Sequence, residues 1–250
     1  MTYKGDTIRL ALMDSRSMLV TPGLLSAFPI LQPLPQADLA QLAQQSNLQK
    51  FARRGVVFNA GAQEDTLCFL FEGRLQGVDF TIDGREVGLY FVEPGGFCGE
   101  LGLFDRGPQP EYVIALTPAV VVFMPMESLR GVMAKNPAVA TMLGTKLATR
   151  VRQMTYQRSL LGLPNVAQRV CCQLWLLVPD GDKKTPENSS ISNPPTHMEI
   201  AIMLNVSRET VTRVFQKLQN QQIVKRDGPA VLQVTDLLRL KVLAEGDKEL

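Results

Sequence analysis

Between Leu48 and Pro125 the chain alternates short β-rich runs with glycines at 55, 61, 73, 84, 95 and 96. The runs read VVF, TLCFLFEG, EVGLYFV and AVVVFM. Short apolar runs separated by turn-forming residues cannot bury a face one at a time, so they must close into a small all-β barrel or jelly roll. IDGRE supplies a hairpin turn, because Asp83-Gly84 accepts positive φ. Beyond Pro125 the texture changes and helices take over. At 250 residues, 45% hydrophobic, the chain has length for two domains and apolar material for a core in each.

The helical half has its own punctuation. PMESLRGVMAKN reads as a short helix, and Pro137 starts a longer one running to about Leu161. Leu147, Val151, Met154 and Leu161 follow a 4-3 spacing that Arg158 interrupts. Such a seam suits a helix that dimerises, or equally one that packs on the chain's own barrel. GLPN breaks the helix, and VAQRVCCQLWLLV forms the next, with Val166, Val170, Leu174 and Leu177 on one face. DGDKKTPENSSISNPP is a polar, Pro-rich link. At the other end, residues 1–25 lack periodicity and read as a loose extension, and Gln36–Gln45 is a short helix carrying Leu39 and Leu42. The expected organisation is an extension at 1–27, a β sensor-like domain at 28–135, a long helix at 136–163 and a small helical domain at 164–250.

NVSRETVTRVFQKLQ, from Asn205 to Gln219, carries the chemistry. At 100° per residue Val211, Val214, Phe215 and Leu218 share one side, while Glu209, Thr212, Arg213 and Gln216 share the other with Arg208 at the flank. Ser207 is a natural N-cap. HMEIAIMLNV just upstream is a second helix, apolar at Ile200, Met203 and Leu204, with small Ala201 where two helices would cross. Asn205 stands where the turn needs a left-handed residue. These offsets make a helix-turn-helix, and IVKRDGPAVLQV adds a hairpin wing turning at Asp227-Gly228. The residue types suit DNA. Arginine matches O6 and N7 of guanine, glutamate accepts from N4 of cytosine, and both lie in the major groove.

Charge and cysteine content narrow the remaining classes. Ser128–Val178 holds seven basic residues and no Asp or Glu, which fits a solvated helical face or attraction to an anionic partner. No run of about 18 apolar residues is present, so no transmembrane helix is expected, and no secretory signal pattern begins the chain. Cys68, Cys98, Cys171 and Cys172 read as reduced thiols of a cytoplasmic protein. The single histidine, His197, removes the metal-dependent enzymes that jelly rolls house, since those sites need two or three histidines. No nucleophile–base pair or phosphate-binding glycine loop appears, so no enzyme is expected.

SRETVTR (Ser207–Arg213), preceded by EIAIMLNV, resembles the recognition motif of the cyclic-AMP receptor protein and its FNR-type relatives. GGFCGELGLFD (Gly95–Asp105) is similar to the start of that family's phosphate cassette, and DTLCFLFEGRL (Asp65–Leu75) to its preceding strand-turn. The resemblance runs from about Phe28 to Leu243. It implies an α+β homodimeric transcription regulator: a cyclic-nucleotide-binding-like jelly roll, a dimerisation helix and a winged helix-turn-helix. By carry-over Arg208 and Arg213 contact guanines, Glu209 a cytosine, and Ser207 and Thr210 phosphate, with Thr212 and Gln216 on the same face. The family's half-site is TGTGA, read as an inverted repeat. Double-stranded DNA, RNA polymerase and a second copy of the chain are the implied partners. The polar link Asp180–Pro195 and the hairpin around Asp83–Gly84 are candidate polymerase contacts.

The cassette departs from the pattern. Cyclic-AMP binders carry an Arg-Ser or Arg-Thr pair about ten residues after the glutamate. Here Gly99 and Glu100 are followed at that place by Pro110-Glu111. Proline has no backbone donor, and a carboxylate repels a phosphate. The expected pocket is Cys98, Gly99, Glu100, Leu101, Pro110 and Glu111, for a small-molecule effector other than cyclic AMP. An FNR-type cluster would need N-terminal cysteines, and haem a histidine in the sensor. Cys98 reads as inert packing or a redox-active thiol, and Arg150 and Arg158 leave a cyclic dinucleotide open. The alternative function is a nucleotide-sensing module that acts through a protein partner rather than through DNA.

Overall fold

A computed structural model describes residues 19–184, 188–247 and 250. The chain divides into two compact units, one ending at Val151 and the other running from Arg152, with hairpin residues 80–88 grouped in the second.

Among the described residues eight strands, all but the tip of the 80–88 hairpin in the first unit, make two four-stranded sheets. One has the order β1 (Asn47–Phe51), β8 (Ala119–Pro125), β3 (Thr66–Glu72), β6 (Phe97–Cys98). The other runs β2 (Val56–Phe58), β7 (Tyr112–Ala115), β4 (Leu75–Phe80), β5 (Glu86–Val92). Every recorded pairing is antiparallel. Phe58, Cys68, Leu70, Leu75, Cys98, Val113, Val121 and Phe123 fill the space inside this sandwich. β1, β4, β6 and β7 fall within the β-rich region but outside the runs quoted above. Their sequences are short or mixed, as in NLQKF and LQGVDF, and tertiary pairing makes them strands.

A second core forms where helices cover the sandwich. It joins α1 (Pro22–Leu25), α2 (Gln36–Gln45) and α4 (Met126–Lys135) to Phe69, Val122 and Met124. Part of the segment read as a loose extension is packed here: Leu24 and Leu25 are buried, followed by Phe28, Ile30, Leu31 and Leu34. Thr21 caps α1 by accepting from the Leu24 amide at 3.1 Å. The loop helix α3 (Leu101–Asp105) lies between β6 and β7 in sequence. The long helix α5 is Pro137–Leu161. Its Val139 and Leu143 belong to the first unit's helical core, and its Leu160 to the core of the second.

The second unit holds α6 (Val166–Leu177), α7 (His197–Leu204), α8 (Arg208–Asn220) and α9 (Leu237–Glu245) around a small sheet. That sheet has the order β10 (Val224–Asp227), β11 (Val231–Val234), β9 (Ser189–Ser192). β9 corrects the reading of 180–195 as a mere link. SSIS alternates, with Ser189 and Ile191 buried, and pairs antiparallel with β11. Among the described residues no helix is long and apolar enough to cross a membrane.

Candidate nucleic-acid interface and effector site

α7 and α8 are set by their ends. Thr196 and Glu199 form a capping box at the start of α7, each side chain meeting the other's backbone amide. Asn205 ends α7 in the left-handed region at φ 50° and ψ 52°, as the turn demands. Two side chains of the same unit bind the last carbonyls of α7: Gln157 Nε2 donates to Met203 O at 2.8 Å, and Arg169 Nη1 to Leu204 O at 3.3 Å. Ser207 then caps α8, accepting from the Thr210 amide at 3.2 Å.

The faces of α8 fall where the period puts them. Val211, Val214, Phe215 and Leu218 are buried. Arg208, Glu209, Arg213 and Gln216 are exposed, with Thr210 and Thr212 half-buried beside them. Ser207 and Thr210 hydroxyls lie 2.9 Å apart, and Arg213 Nη2 reaches Thr210 Oγ1 at 3.4 Å. The wing turns at Gly228, φ 64°, between β10 and β11. The start of α8 therefore offers Arg208, Glu209 and the Ser207 and Thr210 hydroxyls in its cap and first turn, with the Arg213 guanidinium one turn on. That set can donate to guanine and phosphate and accept from cytosine.

The expected effector pocket is built from more distant parts. Cys98, Gly99 and Glu100 are buried where β6 runs into α3. Gly99 has φ 82°, and a Cβ there would lie 2.7 Å from the Phe58 ring, so the position requires glycine. Arg150 of α5 forms an ion pair with Glu100 Oε1 and donates to Phe97 O at 3.2 Å. Its guanidinium stands 4.2 Å from the centroid of the Tyr90 ring on β5. The Tyr90 hydroxyl donates to Glu111 Oε1. Gly77 on β4 leaves room for that ring, since a Cβ would sit 2.5 Å from it.

This cluster carries two carboxylates against one cation. Burial is the main reason the Glu111 carboxyl is raised above its usual value, partly offset by the Tyr90 hydrogen bond and Arg150. Glu100 Oε2 and Gln109 Nε2 are buried with no hydrogen-bond partner. Of the expected pocket residues the structure brings together Cys98, Gly99, Glu100 and Glu111. Leu101 and Pro110 are exposed. Sequence reasoning did not group Tyr90, Gln109 and Arg150 with them. Arg150 lies fifty residues from Glu100, and no local pattern links the two.

All four cysteines are buried and free. Cys68 and Cys98 are register partners on β3 and β6. The hydrogen bond of the Cys98 thiol to Cys68, then burial, raises Cys98 well above its usual range, and burial first raises Cys171 to about 12. Thiols held so firmly protonated are poor nucleophiles. Among the described residues no three metal-binding side chains come together.

Two family models match the chain. One, described as a cyclic nucleotide-binding domain, covers residues 48–136, and the other, a Crp-like helix-turn-helix domain, covers 168–243. The chain is 27% identical over 206 residues to the cAMP-activated global transcriptional regulator CRP of Pasteurella multocida, spanning 81% of this chain and 98% of that one. It is 28% identical over 211 residues to the CRP-like cAMP-activated global transcriptional regulator of Mycobacterium tuberculosis, spanning 84% and 94%. Its fold is similar to that of FixK2 from Bradyrhizobium japonicum, with TM-score 0.66 and 20% identity over 79% of this chain and 96% of that one.

Proposed function

Since the chain belongs to the CRP/FNR family of DNA-binding transcription regulators, we propose that it acts as a homodimer on a TGTGA-like inverted repeat. In this reading Arg208 and Arg213 meet guanines, Glu209 meets a cytosine, and Ser207 and Thr210 hold phosphate. The observation that carries it is the division of α8 and its cap into a buried apolar side and a solvent-facing side bearing these residues. Dimerisation is supported by α5, where Val151 is 62% exposed, Met154 47% and Leu161 38%. Apolar side chains repeated along one helix and left in solvent fit a helix-to-helix seam. RNA polymerase is the expected partner of the DNA-bound dimer.

The effector in this proposal is a small molecule other than cyclic AMP. The two relatives are named as cAMP-activated, but their effector does not suit this chain's cassette. Pro110 and Glu111 stand where an arginine and a hydroxyl would meet the phosphate. Arg150 is already committed to Glu100 and to the Tyr90 face. A cyclic phosphate would add a negative charge beside two carboxylates.

A mobility-shift titration on TGTGA-N6-TCACA against a scrambled duplex tests the site. Preference for the repeat, weakening steeply with salt, is the expected result. Equal and salt-insensitive binding to both duplexes would instead favour a module that works through a protein partner.

A further inference from the structure

The only histidine of the chain stands at the start of α7, against the DNA-reading helix. Its Nδ1 lies 3.0 Å from Thr212 Oγ1. That hydroxyl has a single hydrogen, which it donates to Arg208 O at 2.9 Å. Toward the histidine it can therefore only accept, so Nδ1 carries the ring hydrogen. The ring rests on Phe215, centroids 4.4 Å apart and planes tilted by 35°. Tautomer and orientation are both set by α8. Nε2 is left as the open nitrogen, an acceptor in the neutral ring and a donor in the protonated one, with no partner among the described residues.

Two cations bear on this ring from the elements packed around it. Arg226 comes from β10 of the wing and Arg208 from the first turn of α8. On α7 itself the nearest acid in sequence, Glu199, is engaged in the capping box with Thr196. Burial, then Arg226, then Arg208 hold the free histidine below its ordinary value. A ring whose proton affinity is lowered by burial and by two arginines, with one nitrogen open, is poised to gain a proton when an anion arrives. A phosphodiester of duplex DNA would reverse the local field and accept from Nε2–H.

We propose that His197, with Arg226, forms a DNA-phosphate contact beside the recognition helix, and that DNA binding there takes up a proton. The inference rests on the DNA-reading proposal above. Because the bound ring has the higher pKa, affinity rises as pH falls through the window between the free and bound values and is flat above it. The cluster was not legible in the sequence, where His197 counted only as a histidine too few for a metal site.

Fluorescence-anisotropy titrations of the full chain with the TGTGA repeat, from about pH 8 to about pH 5.5 at constant ionic strength, read this out. The wild-type dissociation constant is expected to fall about tenfold across that range. His197→Gln keeps a donor for Thr212 but cannot gain a proton, and its change is expected to stay under about twofold. His197→Lys is expected to bind tightly and without pH dependence, which also shows that the position tolerates substitution. A wild-type slope retained by His197→Gln, or no wild-type slope at all, overturns this inference and leaves the DNA reading standing. No salt-sensitive complex at any pH overturns both.

Discussion

The two units handle charge in opposite ways. In the second unit Arg208, Glu209 and Arg213 of α8 stand in solvent over an apolar underside, with no ion pair among the described residues. In the first unit Glu100 and Arg150 are withdrawn from water and satisfied largely by each other, with Tyr90 and Glu111 alongside. An exposed charge costs little and waits for a ligand. A buried pair tolerates the loss of neither member. The proposed reading surface is thus open, and the proposed effector site is held by the chain's own groups.

The largest expected effect tests the support beneath the open surface. Phe215→Ala removes a ring that is 3% exposed and should destabilise the second unit by about 3–5 kcal/mol. Gln216→Ala, next to it on the exposed side, should change stability by less than about 0.5 kcal/mol. Chemical denaturation of both variants checks the contrast, and equal losses would mean that the faces of α8 are wrongly assigned.

Arg150→Met probes the closed site at a similar scale. It leaves the Glu100 carboxylate buried and uncompensated, with an expected loss of about 3–5 kcal/mol. Adding Glu100→Gln should recover most of it, so a double-mutant cycle on denaturation midpoints gives a strong coupling. Additive losses would show the pair to be a surface-like contact.

Arg208→Ala should leave the fold intact and weaken binding to the TGTGA repeat by about 1–3 kcal/mol, with less discrimination at the guanine it is proposed to read. Quantitative binding to repeats substituted base by base checks it. An equal loss on every sequence would reassign Arg208 to phosphate.

The smallest effect is on stability against pH. His197 is held below the ordinary histidine value in the folded chain, so the unfolded chain binds the proton more readily. The second unit should be most stable above about pH 6.5 and lose stability as pH falls below it. DNA affinity should move the other way over the same range. Thermal melts with and without the duplex would separate the two trends.

The same contrast explains what the sequence made legible. α8 could be read because its determinants are local. Ser207 caps it, Asn205 turns into it, and the apolar positions repeat at helical spacing within thirteen residues. β9 was hidden because three of its four residues are serine, so Ile191 alone marks the inward face and no period of two can be read. Leu24 to Leu34 was obscure because short turns place those side chains without a regular repeat. The cassette was half legible. Gly99 and Glu100 stood out as a motif, and Pro110-Glu111 as a departure from it. The ion pair with Arg150 depends on a helix returning to the sandwich after fifty residues, which no local spacing encodes.

One titration tests most directly whether an intact reading head is joined to an altered switch: binding of the full chain to the TGTGA repeat, with and without saturating cyclic AMP. Tight, salt-sensitive binding that cyclic AMP leaves unchanged within about twofold is the predicted result. Tightening by cyclic AMP over the range of about 5–150-fold usual for allosteric coupling would contradict it.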